Sequence, residues 1–126
     1  MPLDDPEHLK ELFSVFGSVS IRRMFGGAGV YAEDTMFALI SDGELYFKAD
    51  EETIPAFRAA GEGPFVYGAK GRRVVMSYWR LPDRLLDEPE ELAQWARAAL
   101  GVAQRAAATR PRRRKATKRR RNGRRR

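Results

Sequence analysis

From Arg110 to Arg126 the chain is built only from Arg, Lys, Pro, Thr, Ala, Asn and Gly. Such a segment cannot bury enough apolar surface to offset the entropy of ordering it. The fold must therefore be completed upstream, and the sequence predicts a domain at 1–105 followed by a disordered polybasic tail at 106–126. Charge divides at the same place. Residues 1–100 hold 11 basic and 17 acidic residues, a net of −6, whereas residues 101–126 hold 13 basic residues and no acid, so the overall +7 describes neither half. An acidic body weakly repels nucleic acid, so affinity for a polyanion has to come from the tail.

Within the upstream part, 43% hydrophobic residues over the whole chain suffice for one modest core. Residues 4–16 read as a helix: Asp4 or Asp5 caps it, Pro6 suits its first turn, and Leu9, Leu12, Phe13 and Phe16 form one stripe before Gly17 ends it. The pattern then changes to strands and tight turns. Gly26, Gly27 and Gly29 read as a hairpin turn or bulge between Ile21–Phe25 and Val30–Ala32. Glu33-Asp34 is a second turn, Met36–Ile40 an apolar central strand, and Asp42-Gly43 a strong hairpin signal before Leu45–Lys48. A short helix capped by Thr53 and closed by Gly61 follows, then a hairpin from Pro64–Tyr67 and Arg72–Trp79.

The last helix starts after Asp87, with Glu90 completing a capping box and Leu92, Trp95, Ala96, Ala99 and Ala103 as its buried stripe. The order is helix, three or four strands, helix, two strands, helix. Short turns between strands imply antiparallel pairing, so the expected fold class is α+β, a two-layer sandwich with an antiparallel sheet of about five strands.

The sequence offers little catalytic chemistry. It has no cysteine, which removes disulfides, thiolate nucleophiles and cysteine zinc sites together. Its single histidine, His8, has no triad signature around it and reads as a solvated helix residue. The acids at Glu33-Asp34 and Asp50–Glu52 sit where turns and caps routinely place them. Gly26–Gly29 runs into a strand rather than a helix, unlike a phosphate-cradling loop. No catalytic, metal or cofactor residue is therefore assigned. Arg22, Arg23, Arg72 and Arg73 would make an anion patch if their two segments are sheet neighbours; exposed arginines that solubilise a sheet face explain them equally well. The sequence's many aromatics could stack bases from a sheet face, although core packing explains most of them. The acidic N-terminus lacks the basic start and apolar run of a signal peptide, and no stretch is apolar enough to span a bilayer. The expectation is a cytoplasmic protein without a membrane partner.

The tail is the clearest binding signal. Arg110, Arg112, Arg113, Arg114 and Lys115, then Lys118, Arg119, Arg120 and Arg121, then Arg124, Arg125 and Arg126, form clusters with short polar spacers. Arginine pairs bidentately with phosphate and stays charged at physiological pH. With no aromatic in the tail, the expected ligand is DNA or RNA bound without sequence preference. The competing reading is a protein-interaction module whose tail docks on an acidic partner or aids solubility.

Several separated segments together carry a resemblance. Arg23-Met24-Phe25-Gly26-Gly27-Ala28-Gly29-Val30-Tyr31, Phe37–Ile40 with Leu45–Lys48, Pro64-Phe65 with Tyr67, Met76–Pro82, and Asp87–Leu92 followed by Trp95-Ala96 occur in the order seen in the TfoX/Sxy N-terminal domain family. The chain resembles that family over roughly residues 8–105. The resemblance implies a small α+β domain and a bacterial, cytoplasmic, non-enzymatic protein. Its best-known members are regulators of competence for DNA uptake that act as transcriptional co-activators alongside a cyclic-AMP receptor protein. Where those members continue into a second helical domain, this sequence continues into the basic tail, which adds association with the nucleoid as an expectation.

Overall fold

The computed structural model of the protein describes residues 5–24, 27–69 and 72–108. Asp5 opens the first helix, α1 (Pro6–Leu12): its carboxylate accepts the Glu7 N–H at 3.1 Å, and Pro6 fills the first turn, where no donor is needed. Regular helix ends four residues sooner than the apolar stripe predicts. The chain nevertheless continues in turns to Gly17, whose N–H donates to the Phe13 carbonyl at 2.9 Å. This keeps Leu9 and Phe13 fully buried with Leu12 and Phe16 packed beside them.

Six strands follow, β1 (Ser20–Met24), β2 (Gly27–Ala32), β3 (Thr35–Ser41), β4 (Glu44–Lys48), β5 (Pro64–Ala69) and β6 (Arg72–Arg80), in the sheet order β1-β2-β3-β4-β6-β5. All pairs are antiparallel. The predicted turns fall where expected. Glu33 and Asp34 have φ of 53° and 65°, and Asp42 and Gly43 have 52° and 77°. Positive φ at both central residues matches the right-handed twist of the flanking strands.

Gly27 and Gly29 do not form the first turn; they lie inside β2. Gly27 is required by close approach, because a Cβ there would collide with the Ile40 carbonyl oxygen of β3. A bulge in the β2–β3 pairing sets Val30 opposite Ala38 and Tyr31 opposite Met36, leaving Phe37 as an extra residue. Phe37 thereby joins Ala38 on the core side, where its ring lies 5.7 Å from Phe13 and 6.0 Å from Phe47.

The second helix, α2 (Ile54–Ala59), is initiated differently from expectation. Thr53 makes no side-chain cap bond to it. One turn earlier, Asp50 Oδ1 accepts the Glu52 and Thr53 N–H groups at 3.0 and 3.2 Å, while Thr53 Oγ1 accepts the Asp50 N–H at 3.0 Å. This reciprocal pair is a capping box shifted back by three residues. Gly61, at φ 84°, closes the helix as predicted. A 3-10 helix (Asp83–Asp87) uses the residue expected to cap the last helix, so α3 (Pro89–Ala108) begins instead at Pro89.

All three helices pack on one sheet face. Phe13 brings α1 to Phe37 and Phe47, and Phe57 brings α2 to Trp79 at 6.2 Å. From α3, the buried residues Leu92, Ala93, Ala96, Ala99, Val102 and Ala103 form the seam, and the helix lies over β3 and β4. Alanines along that seam let the helix approach closely. Helix α3 continues past Gly101 with Val102 and Ala103 still buried. The architecture is thus α+β, a six-stranded antiparallel sheet with three helices, in the order α-β4-α-β2-α.

Candidate nucleic-acid interface

The tail residues Arg110, Arg112, Arg113, Arg114, Lys115, Lys118, Arg119, Arg120, Arg121, Arg124, Arg125 and Arg126 lie outside the described residues. What the structure shows is the end of the helix that leads to them. Gln104 Nε2 donates to Glu33 Oε1 at 3.1 Å and Arg105 Nη2 to Asp50 Oδ2 at 3.2 Å, so the last turns of α3 are tied to the β2–β3 turn and the α2 cap. Partial burial would raise the Asp50 carboxyl, but hydrogen bonds from Arg105 and from the Thr53 and Glu52 amides outweigh it and hold the pKa below its usual value.

The proposed arginine cluster is not assembled as the sequence reading required. Arg22 and Arg23 lie on edge strand β1, while Arg72 and Arg73 begin β6, with β2, β3 and β4 between them. Successive strand residues also point to opposite faces, so Arg22 and Arg23 cannot share one patch. Arg22 belongs to the face away from the helices, since it pairs with Gly29 between the core-facing Ala28 and Val30.

That helix-free face collects the aromatics that the core does not use. Phe37, Phe47 and Trp79 are core residues. Tyr31, Tyr46 and Tyr78 alternate with core residues and so face the other way, each only partly buried. The Arg22 guanidinium carbon sits 4.3 Å from the Tyr31 ring centre, and Lys48 Nζ lies 5.2 Å from that of Tyr78. The rings of Tyr46 and Phe65 meet at 4.9 Å. Burial pushes the Tyr78 hydroxyl up to about 12, and burial together with the Glu44 charge raises that of Tyr46. Tyr46 and Tyr78 therefore stay neutral, and cations lie against the Tyr31 and Tyr78 rings.

Arg80, at the end of β6, is used structurally. Its Nε donates to Glu44 Oε1 at 2.8 Å, Nη1 to Glu62 Oε1 at 2.9 Å and Nη2 to Asp83 Oδ1 at 3.0 Å. Hydrogen bonds to Glu62 and Glu44 raise its pKa further, so it is permanently charged. Replacing it by Met leaves the Glu62 carboxylate, only 15% exposed, without its guanidinium. Arg80→Met should cost about 2 kcal/mol in urea unfolding, below the roughly 3–5 kcal/mol of a fully buried pair because Glu44 and Asp83 remain wet. Glu62→Gln in that background should recover part of the loss; a single-variant cost under about 0.5 kcal/mol would show the cluster to be solvent-screened.

Nothing among the described residues forms a catalytic constellation. No group of three or more His, Cys, Asp or Glu side chains could hold a metal, and no helix is long and apolar enough to cross a membrane. His8 sits partly buried on α1. A groove of about 300 Å³ between α2 and α3 is lined mainly by Ala56, Phe57, Trp95, Ala98 and Ala99. Nearby, Glu91 is held down to about 2 by its hydrogen bonds with Arg84, assisted by Trp95 Nε1–H. These polar groups engage one another and do not converge on the groove.

The arrangement defines a small helix-backed antiparallel-sheet domain with one open sheet face among the described residues. The sequence profile of the TfoX N-terminal domain matches residues 11–103, and the chain belongs to that family. It is 29% identical over 101 residues to Protein Sxy of Escherichia coli (strain K12), covering 80% of this chain and 48% of that protein. It is 31% identical over 97 residues to DNA transformation protein TfoX1 of Aliivibrio fischeri (strain ATCC 700601 / ES114), covering 74% of this chain and 46% of the relative. The chain thus spans about half the length of the curated relatives it matches.

Proposed function

We propose that the protein is a non-enzymatic regulatory binding protein of the TfoX/Sxy type, acting in the cytoplasm at the nucleoid. In this reading the tail holds DNA or RNA without sequence preference while the folded domain contacts a protein partner such as a transcription factor. The observation that carries it is the division of charge on a chain of this family. The first 108 residues hold 12 basic and 17 acidic residues, while residues 109–126 hold 12 basic and none acidic. A relative named for DNA transformation supports a role connected with DNA. The absence of cysteine and the single histidine support a binding rather than a catalytic role.

The test is binding of the full chain, and of a chain ending at Ala108, to duplex DNA and to RNA across a salt series. Equal binding by the two would refute the tail assignment. A partner interaction that survives nuclease treatment but needs the tail would instead favour docking on an acidic protein.

A further inference from the structure

Charge is segregated a second time, inside the folded domain. Among the described residues, Glu44 is the one acidic residue on a strand, whereas six basic residues lie on strands: Arg22, Arg23, Lys48, Arg72, Arg73 and Arg80. Glu44 is itself paired with Arg80. The net −5 of residues 1–108 therefore divides into +5 on the strands and −10 on the helices and connections, and the sheet is a positive layer within an acidic domain.

We propose that the helix-free face of the sheet binds single-stranded nucleic acid, with bases stacking on Tyr31 and Tyr46 and phosphates meeting Arg22. The inference rests on the reading of the protein as a nucleic-acid binder but uses residues independent of the tail. Three observations converge on it. Among the described residues the face carries no helix, its tyrosine rings are partly buried, and Arg22 and Lys48 place cations against two of them. Aromatic side chains on an open antiparallel sheet stack two or three unpaired bases, and stacking tolerates any sequence because every base has a π-face. The Arg22 guanidinium lies over the Tyr31 ring, 4.3 Å from its centre, so a phosphate ligand and a planar stacking surface share one site. A duplex hides its base faces and cannot use such a platform. An acidic peptide could use the charge but leaves the rings without a stacking partner.

The experiment uses the full-length protein and short fluorescein-labelled oligothymidylate, oligouridylate and mixed-sequence duplex, at roughly 200 mM salt where the tail contribution is reduced. Each stacked base is worth roughly 5- to 150-fold in affinity. The double variant Tyr31→Ala/Tyr46→Ala should thus weaken single-strand binding about 30-fold or more and change duplex binding less than about 2-fold. Tyr31→Phe/Tyr46→Phe keeps the rings and should retain single-strand affinity. Arg22→Glu, at an exposed position, should weaken single-strand binding several-fold and decides the matter if the alanine pair fails to fold. Unchanged single-strand affinity in Arg22→Glu, equal losses for duplex and single strand, or tighter binding of a polyglutamate peptide would each overturn the proposal. Failure of the tail reading appears separately, as duplex binding that is indifferent to removal of residues 109–126.

Discussion

Ending the chain at Ala108 is expected to abolish most duplex DNA binding at low salt. The truncation removes 12 cations and leaves 12 basic against 17 acidic residues, a net of −5. If 6–10 of the lost side chains neutralise phosphates, counterion release makes the full-length affinity fall by roughly 10³–10⁵ between 50 and 200 mM salt. The truncated protein should bind weakly throughout and show a shallow salt slope. The fold should persist, because every core residue lies between Leu9 and Ala103. Fluorescence anisotropy against a scrambled and an unscrambled duplex should give matching curves, since phosphate contacts carry no sequence information. A full-length salt slope below about two would remove the tail from the binding mechanism.

Phe13→Ala should cost about 3–5 kcal/mol, a large part of the roughly 5–15 kcal/mol that stabilises a domain. Phe13 is fully buried, and its ring meets Phe16 at 6.0 Å, Phe37 at 5.7 Å and Phe47 at 6.2 Å. These contacts dock α1 on the sheet. A seven-residue helix has no stability of its own, so the loss of its anchor should release the whole N-terminal segment. Thermal unfolding should show Tm lowered by more than about 10 °C, with Phe13→Leu losing far less. A Tm change within about 3 °C for Phe13→Ala would mean that α1 is dispensable to the core.

The parts of this fold legible in sequence were those governed by local chemistry. Asp42-Gly43 and Glu33-Asp34 specify their turns through backbone conformation alone, and the alternation at Leu45–Lys48 correctly placed Leu45 and Phe47 in the core. Long-range contacts were not legible. Gly27 looks like a turn residue because its real constraint is the Ile40 carbonyl, 13 positions away in sequence. Thr53 looks like a helix cap because a capping box centred on Asp50 uses the same residue types. The arginines at 22, 23, 72 and 73 could be imagined together only until strand order was known. Conversely, the sheet's positive charge was hidden in plain composition. Strand assignments are needed to separate six basic residues from the acids around them.

The strand order also has a kinetic consequence. Strands β1 to β4 are consecutive neighbours, as are β5 and β6, so each piece can form by closing short turns. The two pieces join through one strand pairing, in which Tyr46, Phe47 and Lys48 lie opposite Arg80, Trp79 and Tyr78. Chain-closure entropy is therefore concentrated in one late junction rather than spread over the sheet, and the low contact order elsewhere favours rapid folding. In φ-value measurements, truncations of Val30 and Ile40 should slow folding more, relative to their stability cost, than truncation of Trp79. The Arg80 carboxylate cluster, with Glu44 in one meander and Glu62 leading into the other, would then act as the clasp that slows unfolding after assembly.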